Sequence, residues 1–231
     1  MKPHKKTAIV VGVLFIFALV SFLIGQALYD PILSSPDYLD NAYPNRVIVI
    51  IGILLEYISA LSVVLIPVFL FPILKRHNEV LALGYVGFRL IEAVLLSIAQ
   101  FYKLSLVNLS QTYLTKGGVE ASYFQNIGGS IQSAIYWVDH SGLIYLIAFV
   151  IGTLILNLAF YKSKLIPRWL SIWGLLSAVA ILTASVMVTF DLFLGLAMIL
   201  IMPIAFQEQV MAIWLIVKGF NPSAIASEST K

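Results

Sequence analysis

Six stretches of apolar sequence, each long enough to cross a bilayer and each closed by a polar break, constrain this chain most. They cover about residues 7–28, 46–74, 80–106, 136–161, 167–189 and 193–217. A spanning helix needs about 20 predominantly apolar residues. Inside lipid every backbone N–H and C=O must be paired within the protein, so runs of this length form helices. The expected fold is therefore all-α: a polytopic integral membrane protein with a six-transmembrane-helix bundle. Composition agrees, with 61% hydrophobic and 11% charged residues and a mean hydropathy of +0.99. A soluble domain carries about a quarter charged residues, so a soluble enzyme is excluded. The absence of cysteine excludes disulfides, thiolate chemistry and Cys-ligated metals.

The first stretch follows a basic start with Lys2, Lys5 and Lys6. A signal peptide would have an apolar region of about 7–15 residues and a small-x-small cleavage site. Here the run is longer and ends in Gly25-Gln26-Ala27-Leu28-Tyr29-Asp30, so a retained first helix is expected. A polar connection with Pro31, Pro36 and Pro44 precedes the second span, which Lys75-Arg76-His77-Asn78-Glu79 closes. Residues 107–135 form the longest polar segment, and its middle mixes Tyr, Phe and Ile with Gln, Asn and Ser. That mixture suits a short interfacial helix in the loop between the third and fourth spans. Pro167 fits the first turn of the fifth helix, and Asp191 marks a short turn before the sixth. Residues 1–218 read as one membrane domain, and 219–231 as a flexible polar tail.

Charge sets the expected orientation. The net charge of +3 comes from 14 basic and 11 acidic residues, and the basic ones sit at the ends of apolar runs. That placement argues for membrane orientation, not for nucleic acid. With the N-terminus cytoplasmic, Lys2, Lys5, Lys6, Lys75, Arg76, Lys162, Lys164, Arg168, Lys218 and Lys231 face inward. Arg46, Lys103 and Lys116 would face outward. Both termini are thus expected in the cytoplasm, with Trp137, Trp169 and Trp214 as interfacial anchors.

An ionisable group near the bilayer centre costs a few kcal/mol, so each one needs a partner or a water-filled cavity. Glu56, Arg89, Glu92, Asp139, His140 and Glu208 are the candidates, with Gln100, Gln207 and Gln209 as neutral helpers. Arg89 and Glu92 are three apart on one helix and share a face. At 1.5 Å per residue, Arg89 lies roughly 13 Å, Glu92 roughly 18 Å and Glu208 roughly 15 Å from the same side. A Glu92–Arg89–Glu208 cluster follows from those depths. Glu56 lies roughly 15 Å deep from the other side, and Asp139 and His140 about 5 Å, so Glu56, Gln100 and His140 form a second candidate group. A metal there would need Asp139 or Glu56 beside His140, short of the ligand set zinc uses. No metal or cofactor is expected. Gly84 and Gly87 are expected to permit close helix approach near the charged pair.

Phe88-Arg89-Leu90-Ile91-Glu92-Ala93, Tyr161 to Leu170 around Lys162-Ser163-Lys164 and Pro167-Arg168-Trp169, and the closing Pro203, Glu208 and Ala212 to Phe220 form a set. In this order and spacing they resemble the DUF4386 family of small bacterial multi-pass membrane proteins. The resemblance implies a topology and a bacterial cell membrane, with Arg89, Glu92, Pro167, Arg168, Pro203 and Glu208 in the family pattern. It implies no activity.

Three functions fit the residues. In the first, the bundle binds a small amphiphile or ion in transport or sensing through Arg89, Glu92 and Glu208, with Gln100. In the second, it is an enzyme on a lipid-like substrate, with His140 as acid/base oriented by Asp139 or Glu56. In the third, it is a structural subunit whose ion pairs only hold helices together, as a homodimer or in a membrane complex.

Overall fold

The computed structural model describes residues 3–116, 121–139 and 143–226, and no strand occurs among them. Its helices are α1 (Pro3–Leu33), α2 (Tyr38–Asn41), α3 (Arg46–His77), α4 (Glu79–Lys116), α5 (Ala121–Val138), α6 (Leu143–Ser163), α7 (Arg168–Thr189), α8 (Leu194–Val217) and α9 (Pro222–Ala226). Six stretches are long and apolar enough to cross a membrane, the fourth running through α5 and α6. The chain is therefore a multi-pass membrane protein in contact with lipid. Large side chains such as Phe17, Leu54, Leu61, Leu176 and Ile199 point outward along these helices, as a lipid-facing surface requires.

The long helices pack as a closed ring. α1 lies against α3, α3 against α4, α4 against α6, α6 against α7, α7 against α8, and α8 returns to α1. Glycines set the tightest crossings. A Cβ on Gly25 would lie 2.7 Å from the Gly52 carbonyl oxygen, and one on Gly52 equally close to that of Gly25. Ser59 Oγ donates to the Ala18 carbonyl at 2.9 Å and pins the same α1–α3 contact. At the ring's closure a Cβ on Gly12 would meet the Ala212 carbonyl. Lipid supplies no hydrophobic drive between helices, so close backbone approach and interhelical hydrogen bonds hold them. Gln207 shows the second device: its Nε2 donates to Asn157 Oδ1 at 3.3 Å and to the Leu170 carbonyl at 3.2 Å, tying α8 to α6 and α7. Gly84 behaves as expected, with Ile155 at 3.3 Å from an added Cβ, but nothing lies within 4 Å of Gly87.

Two apolar cores bracket the middle of the ring. One lies at the end bearing the N-terminus and includes Ile66, Leu70, Tyr85, Phe160, Met211 and Leu215. The other lies at the opposite end around Tyr29, Val49, Leu106, Val107 and Phe124. α2 and α5 cover that second end. Tyr38 packs so tightly on α5 that Gly128 has no room for a Cβ, and burial raises the pKa of the Tyr38 phenol.

Three expectations change. The third apolar stretch, expected to end at about residue 106, continues in α4 to Lys116, because α2 and α5 pack on its extension. Tyr136 and Trp137, expected to open the fourth span, lie near the end of α5, and the fourth membrane-crossing stretch begins earlier, at Ala121, and runs through α5 and α6. α5 is an amphipathic helix covering the interfacial segment, 18 residues long. The tail is helical and docked as far as Ala226, because Phe220 and Ala224 insert into the first core and Asn221 N–H donates to the Leu165 carbonyl at 2.8 Å.

Candidate functional site

One stripe of α4 carries the polar residues of the interior. Arg89, Glu92, Leu96, Gln100 and Lys103 follow one another at steps of three and four, which places them on a single helix face. That face is buried along its whole length. It supports two separate ion clusters, one midway along the ring and one beneath α5.

The first cluster joins α4 to α8. Arg89 Nη1 donates to both oxygens of Glu92, at 3.1 and 3.0 Å, and Nη2 donates to Glu208 Oε1 at 3.2 Å. The guanidinium carbon sits 5.5 Å from the Tyr85 ring centroid and 5.3 Å from that of Phe149. The Arg89 stem passes Gly152 on α6 at ordinary van der Waals distance, 3.8 Å from where a Cβ would stand. The sequence places Arg89, Glu92 and Glu208 at one depth, and the fold brings them together.

Beside this cluster is a cavity of about 390 Å³ lined from all six helices of the ring. Arg89, Glu92 and Glu208 form its charged wall, and Phe15, Phe22, Val63, Leu96, Ile181 and Ile204 are among its apolar lining. It lies between the two cores. Met198, 70% exposed, and Ile201 belong to the lining, so the cavity reaches the outer face of the bundle beside α8.

The second cluster was not foreseen. Lys103, expected to face outward, is 1% exposed. Its Nζ lies 2.5 Å from Glu56 Oε2, 2.8 Å from Asp139 Oδ2 and 2.8 Å from Tyr29 Oη. Tyr29 donates in turn to Glu56 Oε1 at 2.6 Å, and Gln100 Nε2 to Glu56 Oε2 at 2.8 Å. A lysine near a helix end normally snorkels to water. Here α5 and the residue that follows it close over the position, and two carboxylates supply the countercharge. Gln100 accordingly serves Glu56 and does not line the cavity. Glu56 and Asp139 are both engaged by Lys103, and His140 lies outside the described residues.

Sequence reasoning missed Lys103 because lysine was counted as a loop marker. Its spacing of three from Gln100, and its place on the Arg89 face, were the available signal. It also missed Tyr145 and Phe149 on α6 and Ser185 on α7, which line the cavity from helices with no charged member inside the ring.

A family model described as a domain of unknown function, DUF4386, matches residues 10–219. No curated protein and no solved structure matches the chain.

Proposed function

The chain belongs to the DUF4386 family, and for this multi-pass membrane protein we propose a binding role: it takes a small amphiphile into the ring, in transport or in sensing. One observation carries the reading, the cavity of about 390 Å³ with an apolar shaft and a charged wall built by Arg89, Glu92 and Glu208. Ligand pockets of roughly 300–1,000 Å³ are mostly apolar with a few convergent polar groups, which is the composition found here. The occupant would enter sideways from lipid, past Met198 and Ile201. No covalent chemistry is needed, and the groups first considered for catalysis, Glu56 and Asp139, are held on Lys103.

Binding of short-chain amphiphiles to the purified protein in nanodiscs tests this reading. The wild type should bind saturably, and Ala205→Phe, which fills the shaft from α8, should abolish binding. Arg89→Ala should change binding by at least about tenfold, in a direction set by the head-group charge, because it releases both carboxylates. Unchanged binding in correctly folded Arg89→Ala and Ala205→Phe proteins would remove the proposal.

The orientation proposed with it places the end carrying Lys5, Lys75, Arg76, Lys164, Arg168 and Lys218 in the cytoplasm. Because the chain lacks cysteine, single introduced thiols report it cleanly. Thr115→Cys should react with an impermeant maleimide on intact cells, and Ser223→Cys only after lysis. The reverse pattern would invert the orientation.

A further inference from the structure

We infer that the cavity selects an amphiphile with a cationic head group, an alkylammonium, and that Glu208 supplies its countercharge. The inference deepens the binding reading above and rests on it.

Charge is the first observation. Two carboxylates, Glu92 and Glu208, face one guanidinium, and among the described residues no other cationic side chain lines the cavity. Glu92 holds Arg89 through both of its oxygens. Glu208 meets Arg89 through Oε1 alone, so its second oxygen is not used by the guanidinium. Exposure separates them in the same sense: the Glu208 side chain is 18% exposed, against 2% for Glu92. Glu208 is the member of the cluster turned toward the cavity. Arg89 has both terminal nitrogens on carboxylates, and its one unpartnered donor, Nε, is buried, so the guanidinium presents no exposed donor to an anionic head.

The second observation is independent of the ion cluster. Ser185 on α7 lines the cavity, is 2% exposed, and its Oγ has no hydrogen-bond partner. A buried hydroxyl without a partner costs free energy, and in a cavity wall it is a position where a ligand's polar group completes the bonding. A hydroxyl oxygen accepts from an ammonium N–H. The aromatic lining fits the same chemistry. Tyr145 and Phe149 stack on α6 with centroids 6.3 Å apart, and ring faces attract cations. A carboxylate, a free hydroxyl and ring faces around an apolar shaft make a receptor for an alkyl chain ending in nitrogen.

The test compares decylammonium, decyl phosphate and decanol, which share a tail and differ in head charge. Each is titrated calorimetrically into wild-type protein in zwitterionic nanodiscs, with empty nanodiscs as the blank. The expected result is saturable binding of decylammonium at least about tenfold tighter than of the other two. Glu208→Gln should bring decylammonium to within about twofold of decanol measured in the same variant. Equal affinities for all three heads, or tightest binding of decyl phosphate, would overturn the cationic assignment and leave amphiphile binding standing. Absence of saturable binding for all three in folded wild type would remove the binding reading itself. The ranking in wild type needs no variant, so it decides the head charge even if Glu208→Gln fails to fold. Loss of decylammonium binding in Ala205→Phe then places the site in the cavity, and retained binding there would overturn the assignment to it.

Discussion

Arg89 and Lys103 stand on the same face of α4, about four turns apart, and each faces two carboxylates. Their surroundings differ. Lys103 has three N–H donors and three acceptors, from α1, α3 and the residue after α5; Tyr29 takes the Glu56 oxygen it leaves, Oε1, and Gln100 adds a second donor to Oε2. Arg89 has a buried Nε without a partner, a second carboxylate held at one oxygen, and a cavity beside it. A buried cluster whose cation has an acceptor for each N–H fixes helices, and of these side chains Gln100 alone keeps an unused acceptor, Oε1. An unsaturated one next to open space retains the capacity to bind. The two clusters thus divide structural and functional roles along a single helix, and that division can be tested one residue at a time.

Lys103→Met should show the largest effect. It strands Glu56 and Asp139 in the interior without a cation, and breaking a buried pair from one side costs about 3–5 kcal/mol. Reversible unfolding in mixed micelles measures it. The triple variant Lys103→Met, Glu56→Gln, Asp139→Asn should recover most of the loss, because uncharged partners need no countercharge. A Lys103→Met protein as stable as the wild type would end the claim that this cluster is structural. Amphiphile binding per folded molecule should stay unchanged.

Tyr29→Phe comes next. The hydroxyl donates to Glu56 and accepts from Lys103, so its removal leaves one buried acceptor and one buried donor short. The expected cost is about 1–3 kcal/mol by the same unfolding assay. A loss of ligand affinity in this variant, with stability intact, would place Tyr29 on the functional side and blur the contrast.

How much of this could be read beforehand follows the same division. The spans were legible because lipid demands long apolar runs, and positions such as Phe17 and Leu176 need only be apolar. The Arg89–Glu92–Glu208 cluster was legible because depth along a straight helix is simple arithmetic. Lys103 was not, because its burial depends on α2 and α5 folding back over the bundle, a tertiary event that hydropathy does not register. Tyr29 was hidden similarly, since a tyrosine near a helix end reads as an interfacial anchor until a lysine is found beside it. Gly25 and Gly52 were not paired, because a crossing of α1 and α3 leaves no periodic mark in either helix.

Glu208→Gln should sit lower on the stability scale, below about 1 kcal/mol, since the amide oxygen can still accept from Arg89 and the side chain is not fully enclosed. Its effect belongs on head-group selectivity. A destabilisation comparable to that of Lys103→Met would mean that Glu208 is as much a part of the scaffold as Glu56.

Ser185→Ala is the smallest and most discriminating change. The hydroxyl makes no hydrogen bond, so removing it takes no native interaction away and relieves a buried polar group of its desolvation. Stability should hold or rise by up to about 1 kcal/mol, opposite in sign to every other substitution considered. Of the buried hydroxyls without a partner, Ser185 is the one that lines the cavity among the described residues. Decylammonium affinity should therefore fall about two- to fivefold in the same variant, as for one hydrogen bond of about 0.5–1 kcal/mol, while decanol affinity falls less. Unfolding and calorimetry on one preparation give both values. If stability falls and binding does not, Ser185 is a packing residue of α7, and Glu208 is left as the only hydrogen-bonding side chain assigned to the head group.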